Sequence, residues 1–180
     1  VKISGATLWR FGNELATYIC LGAGYKGNPN RWRKPYNVRL AEKRHVYDSR
    51  RRKYIGFTDS FEARFSVEQK LFALVYAALP YKVEGIVIES KAETVIRGET
   101  LFFKARLQPA EATKNRHLIS MRVTNPRGKD VRWYGTVMET KNGVTRGRID
   151  SALNDMTGEW RLQLTDTATG VSASKNFQVK

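Results

Sequence analysis

Two short basic segments carry the side chains best suited to binding an anionic or carbohydrate ligand. Arginine and lysine contact phosphate, sulfate or carboxylate groups and release counterions, so such binding depends steeply on salt. A tryptophan between two arginines can also stack on a sugar ring or a nucleic-acid base. We therefore predict these candidate ligand-binding residues: Arg31, Trp32, Arg33, Lys34, Arg50, Arg51, Arg52 and Lys53.

Each of these segments also has a purely structural interpretation. Trp32 lies in a polar loop, where its ring can fold back over the edge of a domain or pack on a partner. A charge run at the tip of a hairpin is usually a solvated turn. No recognised nucleic-acid-binding motif is present. Among polyanions, an acidic polysaccharide or envelope surface is therefore preferred to nucleic acid, which is disfavoured as a partner.

The sequence predicts no catalytic residues, no bound metal and no cofactor. Glycoside hydrolysis needs two carboxylates that face one sugar, whereas the acidic residues here fall in turns or on alternating strand faces. Oxygen ligands for calcium could come from Asn154, Asp155 and Asp166, but Asn and Asp more often shape turns by bonding their own backbone. The carboxylates weighed for catalysis are Glu62, Glu68, Asp150 and Asp155.

The chain of 180 residues is strongly basic, with 32 Lys and Arg against 17 Asp and Glu and a formal net charge of +15. Most of the excess lies in residues 1–83. Such a charge is informative about binding partners but not about the fold. The longest apolar run, 71–81, contains Pro80 and is too short to span a bilayer. The single cysteine, Cys20, excludes an intrachain disulfide and is expected to be a buried core thiol.

Short alternating segments separated by turn residues recur throughout the sequence and predict β-strands. Gly12-Asn13 predicts a two-residue hairpin turn, and Asn125-Pro-Arg-Gly128 predicts a type I turn. Trp9 and Trp160 lie among apolar neighbours and are predicted core residues. Trp133 and Tyr134 fall in a predicted strand, 131–138, where alternation would expose one of the two rings.

We predict an all-β protein made of two consecutive antiparallel β-sandwich domains, the second immunoglobulin-like. A boundary is expected near 81–85, because Pro80 and Gly85 bracket a short connection and each side carries its own strands. The predicted domains are 1–83 and 84–180. Val1 is not an initiator methionine and is expected to be a processed end or the start of a fragment.

The first half resembles the last β-sandwich of bacterial glycoside hydrolase-like proteins of the family 42 β-galactosidase type. The resemblance covers roughly residues 8–83. The residues that carry it are Tyr47-Asp48, then Tyr54-Ile55-Gly56-Phe57-Thr58-Asp59, then Leu71-Phe72-Ala73-Leu74. It implies a C-terminal accessory module of a large secreted protein, separated from the catalytic barrel.

The second half is similar to immunoglobulin-like and macroglobulin-like domains of large bacterial surface proteins. The similarity rests on an Asn-Pro-x-Gly turn and on a later pattern leading to Asp-x-x-Thr-Gly. Its residues are Asn154, Asp155, Gly158, Trp160, Leu162, Asp166, Thr169 and Gly170. It too implies secretion and an accessory role.

Together these observations favour a non-catalytic structural or interaction module at the exterior of a bacterial cell, whose partners are other protein chains or copies of itself. Two alternatives stay open. One is a carbohydrate-binding accessory module of a glycoside hydrolase. The other is a basic binder of polyanions such as acidic polysaccharide. No membrane span is predicted.

Overall fold

The predicted all-β class is confirmed by the computed structural model, which describes residues 7–12, 16–22, 35–65, 73–109 and 115–180. Thirteen strands are assigned in these ranges, and no α-helix is. The strands are β1 Thr7–Gly12, β2 Thr17–Gly22, β3 Tyr36–Asp48, β4 Lys53–Ala63, β5 Ala73–Leu79, β6 Gly85–Ser90, β7 Thr94–Val95, β8 Thr100–Gln108, β9 Leu118–Thr124, β10 Thr136–Glu139, β11 Val144–Asp150, β12 Gly158–Asp166 and β13 Ser172–Val179.

The chain divides into two compact units, Val1–Lys82 and Val83–Lys180. In the first unit the described strands form one five-stranded antiparallel sheet with the order β1-β2-β5-β3-β4. Alternation along β2 and β5 sends Ile19, Leu21, Leu74 and Tyr76 to one face, where they join a buried apolar cluster. This cluster is the core of the unit.

The long β3–β4 ribbon folds over this core. Val38 pairs with Phe61, and Asp48 pairs with Tyr76. Ten residues of extended strand separate Val38 from Asp48 and would span about 33 Å if straight. The rings of Phe61 and Tyr76 nevertheless lie 4.7 Å apart between centroids. The ribbon therefore bends, at the register shift between Arg39 and Arg44, and one sheet supplies both layers around the core.

The second unit is a two-sheet sandwich. One sheet has the order β10-β9-β12-β13-β7 and the other has the order β11-β8-β6. Strict alternation along β8 buries Leu101, Phe103, Ala105 and Leu107, exposes Phe102 and Arg106, and leaves Lys104 partly exposed. The buried side chains face Trp160, Leu162, Leu164 and Phe177 of the opposite sheet in an apolar core.

The strand order gives the second unit its immunoglobulin-like character. The chain passes repeatedly between the two sheets, as in the sandwiches of that class. The short strand β7 pairs in parallel with the last strand, β13, while the other described strand pairs are antiparallel. Residues 85–108 therefore contribute strands to both sheets, which ties the layers together.

Turn chemistry closes the second unit as its sequence predicts. The amide of Gly128 donates to the carbonyl of Asn125 at 2.9 Å, which confirms the Asn-Pro-Arg-Gly turn. The Asn125 side chain accepts from the amides of Arg127 and Lys129. The Asp166 carboxylate accepts from the amide and hydroxyl of Thr169. These Asn and Asp side chains shape turns.

Two predictions about strands are wrong. Gly12 pairs with Thr17, so four residues separate the paired ends of β1 and β2 and the two-residue Gly-Asn turn does not form. Arg132–Tyr134 is a turn of 3₁₀ helix, and β10 begins after it. The predicted strand 131–138 is therefore interrupted. Trp133 is exposed and Tyr134 is partly buried, which agrees with the expectation that one of the two rings would face solvent.

Two predictions about burial also need correction. Trp160 is buried as predicted, but Trp9 is 48% exposed. Its neighbour Leu8 packs on the core cluster, so alternation sends Trp9 to the outer face. Cys20, directly opposite Trp9, is only partly buried, and this burial raises the pKa of its thiol. Within the described residues, no helix is long and apolar enough to cross a membrane.

Candidate functional site

The structure describes only one of the two predicted basic segments. Arg31, Trp32, Arg33 and Lys34 lie outside the described residues. The second segment, 50–53, forms the tight turn between β3 and β4, where Asp48 pairs with Lys53. Arg52 adopts a left-handed backbone conformation with φ of 53°. All four basic residues of this turn are exposed, although the Arg51 side chain is only 30% exposed.

Arg51 has a structural role in that turn. Its amide donates to Asp48 Oδ1 at 2.9 Å, and its guanidinium donates to Asp48 Oδ2 at 2.8 Å. A third bond runs from the guanidinium to the Arg64 carbonyl at 3.1 Å. These contacts close the turn onto a buried carboxylate. Arg50, Arg52 and Lys53 are the cations that remain available to a ligand.

The outer face of the first sheet carries a row of residues that crosses all five strands and is aromatic on four of them. Phe11 pairs with Tyr18, Tyr18 with Ala77, Ala77 with Tyr47, and Tyr47 with Tyr54. The centre of this row is buried. Exposed rings stand at its two edges, on β1 and on β4.

At the β4 edge, His45, Tyr47, Tyr54 and Phe57 form what we call the hairpin aromatic cluster. His45 Nδ1 and the Tyr54 hydroxyl are hydrogen-bonded at 2.8 Å. The His45 ring lies 4.7 Å from Phe57 and 6.0 Å from Tyr54 between centroids, and the Tyr54 contact is near-parallel at 27°. Tyr47 braces Tyr54 at 5.0 Å. The hydrogen bond and the contact with buried Tyr47 therefore hold the Tyr54 ring in one orientation.

Cations rim this cluster. The Lys82 ammonium lies 5.2 Å from the centroid of the Tyr54 ring, within range of a cation–π contact. Lys53 precedes Tyr54 in the chain, and Arg50 and Arg52 lie in the turn that joins the two strands of this hairpin. Partial burial and the nearby Lys82 charge lower the pKa of His45, so its ring is neutral at neutral pH.

This arrangement is suited to binding rather than to bond cleavage. Two rigid exposed rings, those of Tyr54 and Phe57, offer apolar area with little loss of side-chain entropy on binding. The cationic rim attracts a ligand of negative charge. No group of three or more His, Cys, Asp or Glu able to hold a metal occurs among the described residues.

The described carboxylates that were considered for catalysis each have a different bonding partner. Asp155 is buried and accepts from the Tyr134 hydroxyl and from the Ala152 amide. Asp150 pairs with Arg148 at 3.1 Å, and Glu62 pairs with Arg64 at 3.0 Å. Glu68 lies outside the described residues. Each described carboxylate thus has a bond that accounts for its position.

The hairpin aromatic cluster was not predicted as a site from the sequence. Tyr47, Tyr54 and Phe57 entered only as strand residues of the first resemblance. A signal existed, because aromatic residues flank the basic turn on both strands. Recognising that they share a face required the register, in which the pairing slips by one residue between Val46 and Tyr47.

No family model matches this chain, and no curated protein matches it. Among solved structures, it is similar to an α2-macroglobulin mutant from Salmonella, with 14% identity and a TM-score of 0.46 over 98% of this chain. It is also similar to the trypsin-activated α2-macroglobulin of Escherichia coli, with 13% identity and a TM-score of 0.45 over 98% of this chain.

The chain spans only 12% and 13% of the lengths of those two macroglobulins. A β-glucosidase from Listeria innocua is similar over 52% of this chain and 16% of its own, with 8% identity and a TM-score of 0.37. No residue role follows from likenesses at this level, and the resemblance to the family 42 β-galactosidase type stays a prediction.

Proposed function

We propose that this chain is a non-catalytic interaction module of a larger protein at the bacterial cell exterior, and that the hairpin aromatic cluster binds an acidic surface of a partner protein. The carrying observation is the cluster itself, in which the exposed Tyr54 ring is hydrogen-bonded to His45 at 2.8 Å and the exposed Phe57 ring packs on the His45 ring at 4.7 Å. Aromatic residues and arginine are enriched at protein interfaces, and buried aromatic anchors carry much of the binding energy.

The charge of the chain favours a partner of opposite sign over a second copy. At a net charge of +15, two copies repel each other, and the cationic rim would bring like charges together at the contact. An acidic partner instead gains attraction from Lys82 and the free cations of the turn. Self-association is one of the outcomes that the test below distinguishes.

A random copolymer of glutamate and tyrosine is a suitable probe, with polyglutamate of equal length for comparison. We expect the chain to prefer the copolymer, and we expect Phe57→Ala to reduce that preference by about fivefold, the effect of one aromatic anchor worth ~1 kcal/mol. The matched control is Phe11→Ala, because Phe11 and Phe57 are both 57% exposed but stand at opposite edges of the sheet.

Equal effects of Phe57→Ala and Phe11→Ala would reject the hairpin aromatic cluster as the binding surface. Size-exclusion chromatography with light scattering, at low and high salt, is the companion measurement. A monomer in both conditions agrees with an acidic partner. If the chain instead forms a concentration-dependent oligomer, and Phe57→Ala makes that oligomer dissociate, the cluster would be assigned to self-assembly.

Carbohydrate binding is the second candidate function. It is favoured by the near-parallel rings of His45 and Tyr54, whose polar edges could bond sugar hydroxyls while Phe57 offers an apolar face. Binding of neutral glycans that is saturable, insensitive to salt and lost in Tyr54→Ala would make this the better assignment.

A further inference from the structure

The two outer faces of the second unit differ in charge. On the five-stranded sheet, Arg122 lies 3.6 Å from Asp130, Arg161 donates to Ser174, and the surrounding outward residues are mostly neutral Ser, Thr, Asn and Gln. The three-stranded sheet instead presents four cations and an exposed phenylalanine. We call this the cationic face, and its residues are Phe102, Lys104, Arg106, Arg146 and Arg148.

Strand register fixes the spacing of these groups. Lys104 is directly opposite Arg146, and Phe102 is directly opposite Arg148. Residues opposite each other lie about 5 Å apart and residues two apart along a strand lie about 7 Å apart. The four cations therefore form a staggered array about 14 Å long across β8 and β11.

The cation at the middle of the array lacks a carboxylate. Lys104 and Arg106 share Glu89, at 3.6 and 3.2 Å. Arg148 pairs with Asp150 at 3.1 Å. Among the described residues, no carboxylate lies within ion-pair distance of Arg146. A bound anion can complete this array without breaking an existing pair.

Phe102 adds an apolar element inside the charged array. Its side chain is 66% exposed, because alternation along β8 turns Leu101 and Phe103 into the core and Phe102 away from it. It lies between Lys104 and Arg148. A ring flanked by cations can stack on the flat face of a ligand whose charged groups reach the neighbouring side chains.

We propose that the cationic face binds an acidic polysaccharide. Glu89 and Asp150 lie within the face and repel the phosphates of a nucleic-acid strand, which carries one charge on every nucleotide. An acidic polysaccharide offers hydroxyls between its carboxylate or sulfate groups. Carboxylates accept hydrogen bonds from such hydroxyls, so the mixed surface fits a hydroxyl-rich acidic chain.

The test measures binding of the 180-residue chain to polygalacturonate, to heparin and to a single-stranded oligothymidylate as salt rises. We expect Arg146→Gln/Arg148→Gln to weaken polysaccharide binding about tenfold or more at low salt and to reduce the salt slope by about two. We expect Phe102→Ala to weaken it about threefold or more at salt levels where ion pairing is screened.

The matched control is Arg122→Gln/Arg161→Gln, which removes the same two charges from the other outer face. It should leave binding within about twofold of the parent. The charge-preserving Arg146→Lys/Arg148→Lys variant should retain most of the affinity, and circular dichroism checks that each variant folds.

Three results would overturn the proposal. Equal losses in the two glutamine variants would show that net charge alone governs binding. Tighter binding of oligothymidylate than of either polysaccharide, with the same variant sensitivity, would make this a nucleic-acid surface. Absence of polysaccharide binding would exclude the site. None of these results bears on the hairpin aromatic cluster, which the variants do not alter.

Discussion

Phe61 and Tyr76 lie ring to ring, 4.7 Å apart between centroids, although they belong to parts of the sheet that a straight β3 would separate by about 33 Å. This contact joins β4 to β5 across the core of the first unit. Phe61 lies on β4 and reaches Tyr76 of β5 only because the β3–β4 ribbon bends over the core. Burial also raises the pKa of Tyr76 to about 12, which matches a phenol enclosed by that ribbon.

Removing the Phe61 ring should therefore destabilise the first unit strongly. Phe61→Ala deletes a buried aromatic ring and leaves a cavity, at a cost of about 3–5 kcal/mol in the free energy of unfolding. Phe57→Ala, on the same strand but at the exposed face, should cost less than about 1 kcal/mol. Urea titration followed by hydrogen exchange of β5 peptides measures both. Similar costs would show that the ribbon does not close the core.

The turn that ends this ribbon depends on Arg51 and Asp48. Arg51→Gln removes a charged hydrogen bond to a carboxylate that is nearly buried, and should reduce the free energy of unfolding by about 1.5–3 kcal/mol. Arg50→Gln is the matched control, since its side chain is exposed, and should change stability by less than about 0.5 kcal/mol. If the two variants unfold at the same urea concentration, the bonds of Arg51 do not stabilise the turn.

Local sequence patterns were sufficient for much of this fold. Alternation predicted the β-strands of the chain, because a strand with one buried face has a period of two. The basic turn and the Asn-Pro-Arg-Gly turn followed from residues with known backbone preferences. These features depend on a few adjacent residues.

Features that depend on distant residues could not be obtained in this way. Trp9 was expected in the core because its neighbours are apolar, yet which of Leu8 and Trp9 faces inward depends on the pairing of β1 with β2. The bend of the ribbon, and with it the aromatic row on the outer face, depends on register shifts that no local pattern encodes. The candidate binding surface was missed for the same reason.

A buried hydrogen-bonded pair supports one end of the second unit. His117 Nδ1 lies 3.0 Å from Asp166 Oδ1, and both side chains are fully buried. Asp166→Asn should reduce the free energy of unfolding by about 3 kcal/mol, because it removes one member of a buried hydrogen-bonded network that includes Thr169. Asp130→Asn, at an exposed pair, should cost less than about 0.5 kcal/mol. Thermal unfolding by calorimetry compares them, and equal shifts would contradict a structural role for Asp166.

The charge state of His45 can be tested directly in the hairpin aromatic cluster. Burial and the charge of Lys82 lower its pKa, so NMR titration of the two histidines should give His45 a midpoint below the usual value of about 6.5. Lys82→Gln removes the repelling charge and should raise that midpoint. His45→Gln identifies the signal, and an unchanged midpoint in Lys82→Gln would mean that Lys82 does not act on the ring.

The same shift sets a direction for stability against pH. The folded state holds His45 neutral more firmly than the unfolded chain does, so its contribution is complete above the unfolded pKa of about 6.5. As pH falls below that value toward the lower folded pKa, the unfolded chain binds the proton first and stability declines. His45→Gln should flatten this decline relative to the parent chain as pH falls below about 6.5. Urea midpoints measured across that range for both chains give the comparison, and parallel curves would show that protonation of His45 is not linked to folding.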